Sequence, residues 1–185
     1  FQTESTKWRT EADRIKTAAD NRFAGINLTG KRVVFLVDMS GSMDYIDDDH
    51  KAPEKWLGVR TAVAKIMRSL PDLEKFQLIT FSDKTHFPLA PEGQWLDYDP
   101  KTSPELVLKT LAAIKPDGGT NMYNPMQAAF AMRPQGLDTV YLCSDGLPNL
   151  GEGVTPQEVA TLTEVERGAK LGGIIRNKLK TDWNR

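Results

Sequence analysis

Apolar residues along the chain follow two kinds of spacing, one typical of buried strands and one typical of amphipathic helices. Three short stretches are mostly apolar and rich in β-branched and aromatic residues: VVFLV at 33–37, FQLITF at 76–81 and VYLC at 140–143. Such runs predict strands buried on both faces, as in the centre of a parallel sheet. Apolar residues spaced by three and four positions predict helices at 3–24, 54–70, 102–114, 124–132 and from 155 onward.

Proline and capping patterns set the boundaries between these elements. Pro88 fits only an edge position, so residues 85–89 are predicted to form a short strand at the sheet margin. Residues 91–100 are predicted to be a loop that covers the sheet edge with its aromatic side chains. Residues 102–105 and 155–158 both match the capping-box pattern at a helix start.

The stretch KRVVFLVDMSGSM at 31–43 changes abruptly from apolar to polar at its end. Asp38, Ser40 and Ser42 follow the strand at alternating positions and offer only oxygen, and Gly41 is expected to take backbone angles that a Cβ would forbid. Oxygen suits a hard cation such as Mg²⁺ or Ca²⁺, and ligands bind at the carboxyl ends of strands in open α/β sheets. An ordinary polar turn needs the same residue types, so this stretch alone leaves both interpretations open.

Two distant stretches add further oxygen donors where strands or loops meet helices. Thr120 lies in a glycine-bracketed turn, KPDGGTNMYN at 115–124, and Asp145 lies just past the strand at 140–143. Hydroxyls from three residues and carboxylates from two, with waters completing the shell, would make a Mg²⁺ site. Asn121 is expected either to hold the turn by a hydrogen bond or simply to form it.

With these residues in order, the chain resembles a von Willebrand factor type A (VWA) domain, the fold also used by integrin inserted domains. The metal-ion-dependent adhesion site (MIDAS) of that family has the pattern Asp-x-Ser-x-Ser, then a distant Thr and a distant Asp. Its counterparts here are Asp38, Ser40, Ser42, Thr120 and Asp145. The resemblance implies an α/β fold with a doubly wound, mostly parallel central sheet flanked by helices. The sequences SGSM and SDGLPN in these motifs resemble those of bacterial members, which are often associated with the cell envelope.

The resemblance also implies a function, which is metal-dependent protein binding in adhesion or assembly rather than catalysis. The hydroxyls would ligate Mg²⁺ (or Mn²⁺ or Ca²⁺), and the two carboxylates would act directly or through waters. The cation would then accept the carboxylate of an Asp or Glu from a partner protein at its open coordination position. Because the charge of the metal dominates the local field, the bound ligand is expected to be anionic.

Two other functions stay open on the sequence alone. A metal-dependent hydrolase or phosphoryl-transfer enzyme would need a base or nucleophile near the cation. The sequence offers Asp44 and the acidic run at 47–49, but it has no histidine in a motif and no P-loop. The other alternative is a structural module, or a subunit that docks on a motor ATPase or chelatase, as relatives of this fold do.

The charge composition does not favour nucleic acid or a membrane surface as a partner. The 24 basic and 25 acidic residues give a formal charge of −1, so there is no electrostatic case for nucleic acid or for an anionic membrane. No apolar stretch is long enough to span a bilayer. The single cysteine, Cys143, lies inside an apolar run, so it is predicted to be a small core residue rather than a nucleophile.

The pattern divides the chain into an N-terminal amphipathic helix with its lead-in, residues 1–30, and a VWA domain, residues 31–185. The sheet of the family has two more parallel strands after the one at 140–143, and the basic tail at 174–185 contains no clear strand. An apolar strand left at an edge is an aggregation hazard. We therefore expect a C-terminally truncated domain, or a sheet that another segment or molecule completes. A compact variant that ends at the last helix is the alternative.

Overall fold

The computed structural model of the chain describes residues 22–23, 26–47 and 50–183. In chain order the strands are β1 (Arg22–Phe23), β2 (Ile26–Asn27), β3 (Arg32–Asp38), β4 (Tyr45–Asp47), β5 (His50–Lys51), β6 (Lys75–Phe81), β7 (Thr85–His86), β8 (Leu96–Asp97) and β9 (Thr139–Cys143). The α-helices are α1 (Pro53–Ser69), α2 (Ser103–Ala112), α3 (Tyr123–Phe130), α4 (Pro156–Thr161) and α5 (Glu164–Lys178). A 3₁₀ turn at Gly41–Asp44 follows β3, and a π-helical turn at Leu179–Trp183 follows α5.

A five-stranded mixed sheet forms the centre of the fold. β3 lies between β6 and β9 and pairs with both in parallel. The two short strands β7 and β8 pair antiparallel with opposite ends of the far edge of β6. The strand predicted at 85–89 is therefore present at the margin, although only Thr85–His86 is paired.

Helices cover both faces of this sheet, because the residues of β3 are apolar on both sides. Alternate residues Val33, Phe35 and Val37 pack in one core cluster with α1 and α2. Val34 and Leu36 pack in a second cluster with α3 and α5. This arrangement confirms the predicted fold class, a doubly wound and mostly parallel sheet flanked by helices.

The outer edge of β9 has no partner strand among the described residues. Leu142 in this strand is 41 % exposed, whereas the residues of β3 from Val33 to Asp38 are fully buried. The described tail contains no strand, as expected from its pattern, and is helical up to residue 183. Between residues 22 and 183, with the gaps given above, no helix has both the length and the apolar character needed to cross a membrane.

The helix predicted from residue 155 is two helices, each with its own capping box. Thr155 and Glu158 cap α4 as predicted, and Thr163 and Glu166 cap α5 in the same way. The sequence TEVE at 163–166 matches the capping pattern too, but the apolar spacing across it hides the break. The capping box predicted at 102–105 is absent, because the carboxylate of Asp99 accepts the backbone N–H groups of Lys101 and Thr102 instead.

Two other predicted boundaries are wrong. The predicted helix at 3–24 lies mostly outside the described residues, but Arg22–Phe23 forms a strand that pairs with Ile26–Asn27. The predicted loop at 91–100 contains β8. Buried Gln77 holds this region, because its Nε2 donates to the carbonyls of Pro91 (3.0 Å) and Gln94 (2.9 Å).

Cys143 at the end of β9 is half-buried and packs against the core, as predicted. Burial raises the pKa of its thiol to about 11, so only about one molecule in a thousand carries the reactive thiolate at pH 8. We expect iodoacetamide to alkylate the native protein at pH 8 roughly 100-fold more slowly than the protein unfolded in urea. Mass spectrometry of quenched samples measures both rates.

The raised pKa of the Cys143 thiol also determines whether the stability of the protein rises or falls with pH. The unfolded thiol, with its lower pKa, loses its proton first, so the free energy of unfolding should fall as pH rises from about 9 towards 11. In Cys143→Ala, this contribution to the pH dependence of the free energy of unfolding should be absent. Equal alkylation rates for folded and unfolded protein, or identical slopes for the two proteins, would contradict the buried thiol.

Candidate metal centre

The candidate site lies at the carboxyl ends of the parallel strands. β3 ends at Asp38, and the loop after it continues towards β6, because the N–H of Met39 donates to the carbonyl of Phe81 (2.7 Å). Ser144 and Asp145 follow directly after β9 on the other side of β3. Parallel pairing aligns the ends of the three strands, so polar residues far apart in sequence meet at one edge of the sheet.

Asp38 is the buried centre of this group and is 0 % exposed. Its Oδ1 accepts the backbone N–H of Ser40 (2.8 Å), and its Oδ2 accepts the hydroxyl of Ser144 (2.7 Å). The carboxylate is therefore fixed by the loop of its own strand and by the loop after β9. Ser144 was not among the residues predicted from the sequence.

Oxygen atoms of the next three predicted residues form a continuous chain. The Oγ atoms of Ser40 and Ser42 lie 3.1 Å apart, and Ser42 Oγ donates to Asp145 Oδ1 (3.0 Å). Neighbouring ligands of an octahedral Mg²⁺ lie about 2.9 Å apart, since Mg–O distances are about 2.1 Å. The chemistry and spacing of these donors fit a small hard cation.

Thr120 is buried on a neighbouring turn that is hydrogen-bonded to the loop after β3. The N–H of Gly41 donates to the carbonyl of Gly118 (2.9 Å), and the N–H of Asp117 donates to the carbonyl of Met39 (2.9 Å). The hydrogen bonds that link the other four predicted residues do not extend to the side chain of Thr120. The structure thus brings four of the five together directly and places the fifth beside them.

Asn149, rather than Asn121, fixes the turn at Thr120. Its Oδ1 accepts the backbone N–H of Thr120 (2.7 Å), and its own N–H donates to the carbonyl of Thr120 (3.0 Å). The side-chain oxygen of Asn121 is buried without a hydrogen-bond partner in the described part of the chain. Sequence reasoning missed Asn149 because it lies 29 positions away, in the loop after Asp145.

Glycine is needed in the turn at Thr120, not in the loop after β3 as predicted. Gly118 has a φ of +82°, which L side chains rarely adopt. A Cβ on Gly119 would lie 2.6 Å from Leu150 Cδ1. Gly41 does not have positive φ, and a Cβ there would lie at an ordinary 3.5 Å from the carbonyl of Gly118. The predicted role of Gly41 is therefore wrong.

A lysine that the sequence analysis did not consider also enters the site. Lys55, in the first turn of α1, donates from Nζ to the carbonyls of Ser42 (2.7 Å) and Tyr45 (3.3 Å). The same ammonium group forms an ion pair with Asp145 Oδ2. The side chains of Lys55 and Asp145 are 34 % and 18 % exposed. Each oxygen of Asp145 therefore has a donor, one from Ser42 and one from Lys55.

Of the acidic residues that the sequence offers to an enzyme, Asp44 is the one whose side chain the structure describes. Asp44 lies in the 3₁₀ turn, where its carbonyl accepts the N–H of Ala52 (2.8 Å). Residues 48–49 and the side chain at position 47 lie outside the description. Among the described residues no group of three or more His, Cys, Asp or Glu side chains is arranged to hold a metal. The five residues of the candidate site supply two carboxylates and three hydroxyls, and the carboxylate of Asp83, which accepts the N–H of Gly119, lies beside Thr120.

Residues 33–147 match the family model of the von Willebrand factor type A domain, which is more than half of the chain. The chain therefore belongs to the VWA family. No curated protein sequence matches it significantly.

Two solved structures with a similar fold are distant from this chain in sequence. A von Willebrand factor type A protein from Catenulispora acidiphila is 21 % identical, with a TM-score of 0.54 over 75 % of this chain and 30 % of that one. The vWF domain of the type V pili tip protein Mfa5 from Porphyromonas gingivalis is 18 % identical, with a TM-score of 0.48 over 70 % of this chain and 43 % of that one. The chain thus spans less than half the length of these structures, and the likeness shows the fold alone.

Proposed function

We propose that this chain is a divalent-metal-dependent protein-binding module that acts in adhesion or assembly. Its MIDAS cation, Mg²⁺ or a similar ion, would coordinate an Asp or Glu carboxylate of a partner protein. The observation that carries this proposal is the continuous chain of side-chain oxygens of Ser40, Ser42 and Asp145 next to the buried carboxylate of Asp38, at the carboxyl ends of parallel strands. Membership of the VWA family supports it, because the five residues match the metal-site pattern of that family in order.

The residues that would hold the cation are Asp38, Ser40, Ser42, Thr120 and Asp145. When bound, the cation supplies a strong positive charge with an open position for an anionic oxygen. The two carboxylates would balance a divalent charge, and the ammonium group of Lys55 beside them would leave the site net positive. Such a site favours a carboxylate over a neutral amide, which is the basis for proposing an acidic residue in the partner.

We propose binding without turnover. A hydrolase or phosphoryl-transfer enzyme needs a base or nucleophile within hydrogen-bond reach of the reacting group. In the described part of the chain, the groups around Asp38 are hydroxyls, backbone amides and a lysine that is already paired with Asp145. No observation favours catalysis, nor a purely structural module or an ATPase-associated subunit, over protein binding.

The test uses Mn²⁺ as the metal and N-acetylglutamate as the acidic ligand. We expect calorimetry to give one Mn²⁺ site in the wild-type protein and a loss of roughly 100-fold in affinity in Asp145→Ala. Asp72→Ala should bind as the wild type does, because exposed Asp72 precedes β6 at the opposite end of the sheet. Circular dichroism checks that each variant is folded.

The second part of the test asks whether a carboxylate binds to the metal. N-Acetylglutamate should lower the water-proton relaxivity of Mn²⁺-loaded protein by displacing bound water, whereas N-acetylglutamine should leave it unchanged. Folded protein that binds no Mn²⁺ would overturn the metal site. Equal responses to the two ligands would overturn carboxylate recognition.

A further inference from the structure

We infer that Lys55 is an internal cation that competes with the divalent metal for Asp145 and so weakens metal binding in the absence of a partner. This inference rests on the proposed function, since it assigns a regulatory residue to the same site. The Lys55 ammonium group makes an ion pair with the carboxylate of Asp145, which the proposal places on the metal.

The position of the ammonium group is set by the metal loop itself. Lys55 Nζ donates to the carbonyl of Ser42 (2.7 Å) and to the carbonyl of Tyr45 (3.3 Å). The hydroxyl of the same Ser42 is a proposed metal ligand. These two carbonyls hold the ammonium against the loop independently of Asp145. Lys55 is therefore fixed beside the site and is not a surface side chain that happens to reach it.

The local energetics of α1 do not favour a lysine at this position. Lys55 lies in the first helical turn, where the helix dipole is positive and disfavours a cation. The carbonyls and Asp145 supply the compensating interactions. Negative charge in the metal site thus stabilises the lysine, and the lysine in turn neutralises a carboxylate that the metal would use.

A divalent cation at this site therefore meets one of two penalties. Either the ion pair between Asp145 and Lys55 breaks, or the ammonium group of Lys55 stays close to the divalent cation and repels it. An anionic partner supplies the missing negative charge and removes much of the penalty. Metal and acidic ligand should consequently strengthen each other's binding, by the same factor in both directions.

The decisive variants neutralise Lys55 in two ways. Lys55→Met removes the charge and the donors, while Lys55→Gln removes the charge but keeps an amide that can donate to the two carbonyls. We expect both to bind Mn²⁺ about tenfold more tightly than the wild type in calorimetric titrations at pH 7. Lys55→Arg keeps the charge and should stay within about threefold of the wild type.

The matched control is Lys65→Met, which makes the same change of charge at an exposed position on the same helix. It should alter Mn²⁺ affinity by less than about twofold, since screening weakens charges at that distance. Adding N-acetylglutamate should tighten Mn²⁺ binding more in the wild type than in Lys55→Met. This difference measures how strongly Lys55 couples the binding of the metal to the binding of the acidic ligand.

The outcomes separate the inference from the proposed function. If folded wild-type protein and both neutral variants bind no Mn²⁺, the proposed function fails and the inference fails with it. If the wild type binds and both neutral variants bind equally or more weakly, the competition is wrong while the metal site stands. If Lys55→Met does not fold, the result for Lys55→Gln decides.

Discussion

Replacing Asp38 with asparagine should remove divalent-metal binding while leaving the fold in place. Asparagine has nearly the same shape, and its oxygen can still accept the N–H of Ser40. Its amide can donate to the Ser144 hydroxyl, which can turn from donor to acceptor. The substitution therefore removes the charge and leaves the hydrogen bonds of the loop satisfied.

The expected loss in Mn²⁺ affinity is at least about 100-fold, because one of only two carboxylates becomes a neutral amide. The free energy of unfolding should change by no more than about 1 kcal/mol, since a buried carboxylate is itself costly in the absence of a cation. Calorimetric titration and urea unfolding measure the two effects on the same preparation.

Asp138→Asn is the matched control for Asp38→Asn. The carboxylate of Asp138 also accepts two hydrogen bonds, both at Oδ2 and from the N–H groups of Lys31 and Arg32 (2.9 Å each), but it lies at the opposite end of β3. The control should bind Mn²⁺ as the wild type does. Affinity in Asp38→Asn within about tenfold of the wild type would contradict a metal site centred on Asp38.

Sequence predicted the part of the site that depends on local pattern. Asp38, Ser40 and Ser42 follow a buried strand within five positions, so their placement at its carboxyl end needs no knowledge of the tertiary fold. Lys55 was not predictable in this way. Its ion pair with Asp145 joins residues 90 positions apart and depends on where α1 starts relative to the loop after β9. A lysine in the first turn of a helix carries no local signal of such a contact.

The fold shows the same division between local and tertiary information. The buried strands were predictable because runs such as 33–37 are short, apolar at every position and rich in β-branched and aromatic residues, a pattern typical of a strand covered on both faces. The cap of α2 was not, because the 102–105 pattern matches a capping box, whereas Asp99 accepts the N–H of Thr102 and Glu105 forms an ion pair with Arg68. A contact with a distant residue thus replaced the one that the local motif predicts.

Substitution of Trp183 by alanine should destabilise the protein by about 3 kcal/mol, the second large effect that we expect. This side chain is only 9 % exposed although it lies near the end of the described chain. Its ring stacks on Phe130, with centroids 5.7 Å apart and planes within 6°, and it lies 5.2 Å from the ring of Tyr123. Its carbonyl accepts a hydrogen bond from Nη1 of Arg133 (2.7 Å), which fixes the turn after α5 to the 3₁₀ turn that follows α3.

Urea unfolding measures this loss, and Trp183→Phe is the matched variant. Phenylalanine keeps a stacked ring, so it should cost only about 1 kcal/mol. A loss below about 1 kcal/mol in Trp183→Ala would mean that the turn at Leu179–Trp183 contributes little to covering this face of the sheet. Sequence reasoning missed the pattern that points to this docking, in which Leu171, Ile175, Leu179 and Trp183 recur every four positions, as on one face of a helix.

Metal affinity in Trp183→Ala then tests whether the docking of α5 supports the site at its other end. α5 approaches the loop after β9 through Gly168, where a Cβ would lie 2.8 Å from Cβ of Leu147, two residues beyond Asp145. We expect Mn²⁺ affinity to change by less than about threefold, because Ser42 and Lys55 hold Asp145 independently of α5. A larger loss would show that the packing of α5 positions the loop after β9, and that the two ends of this helix are energetically coupled.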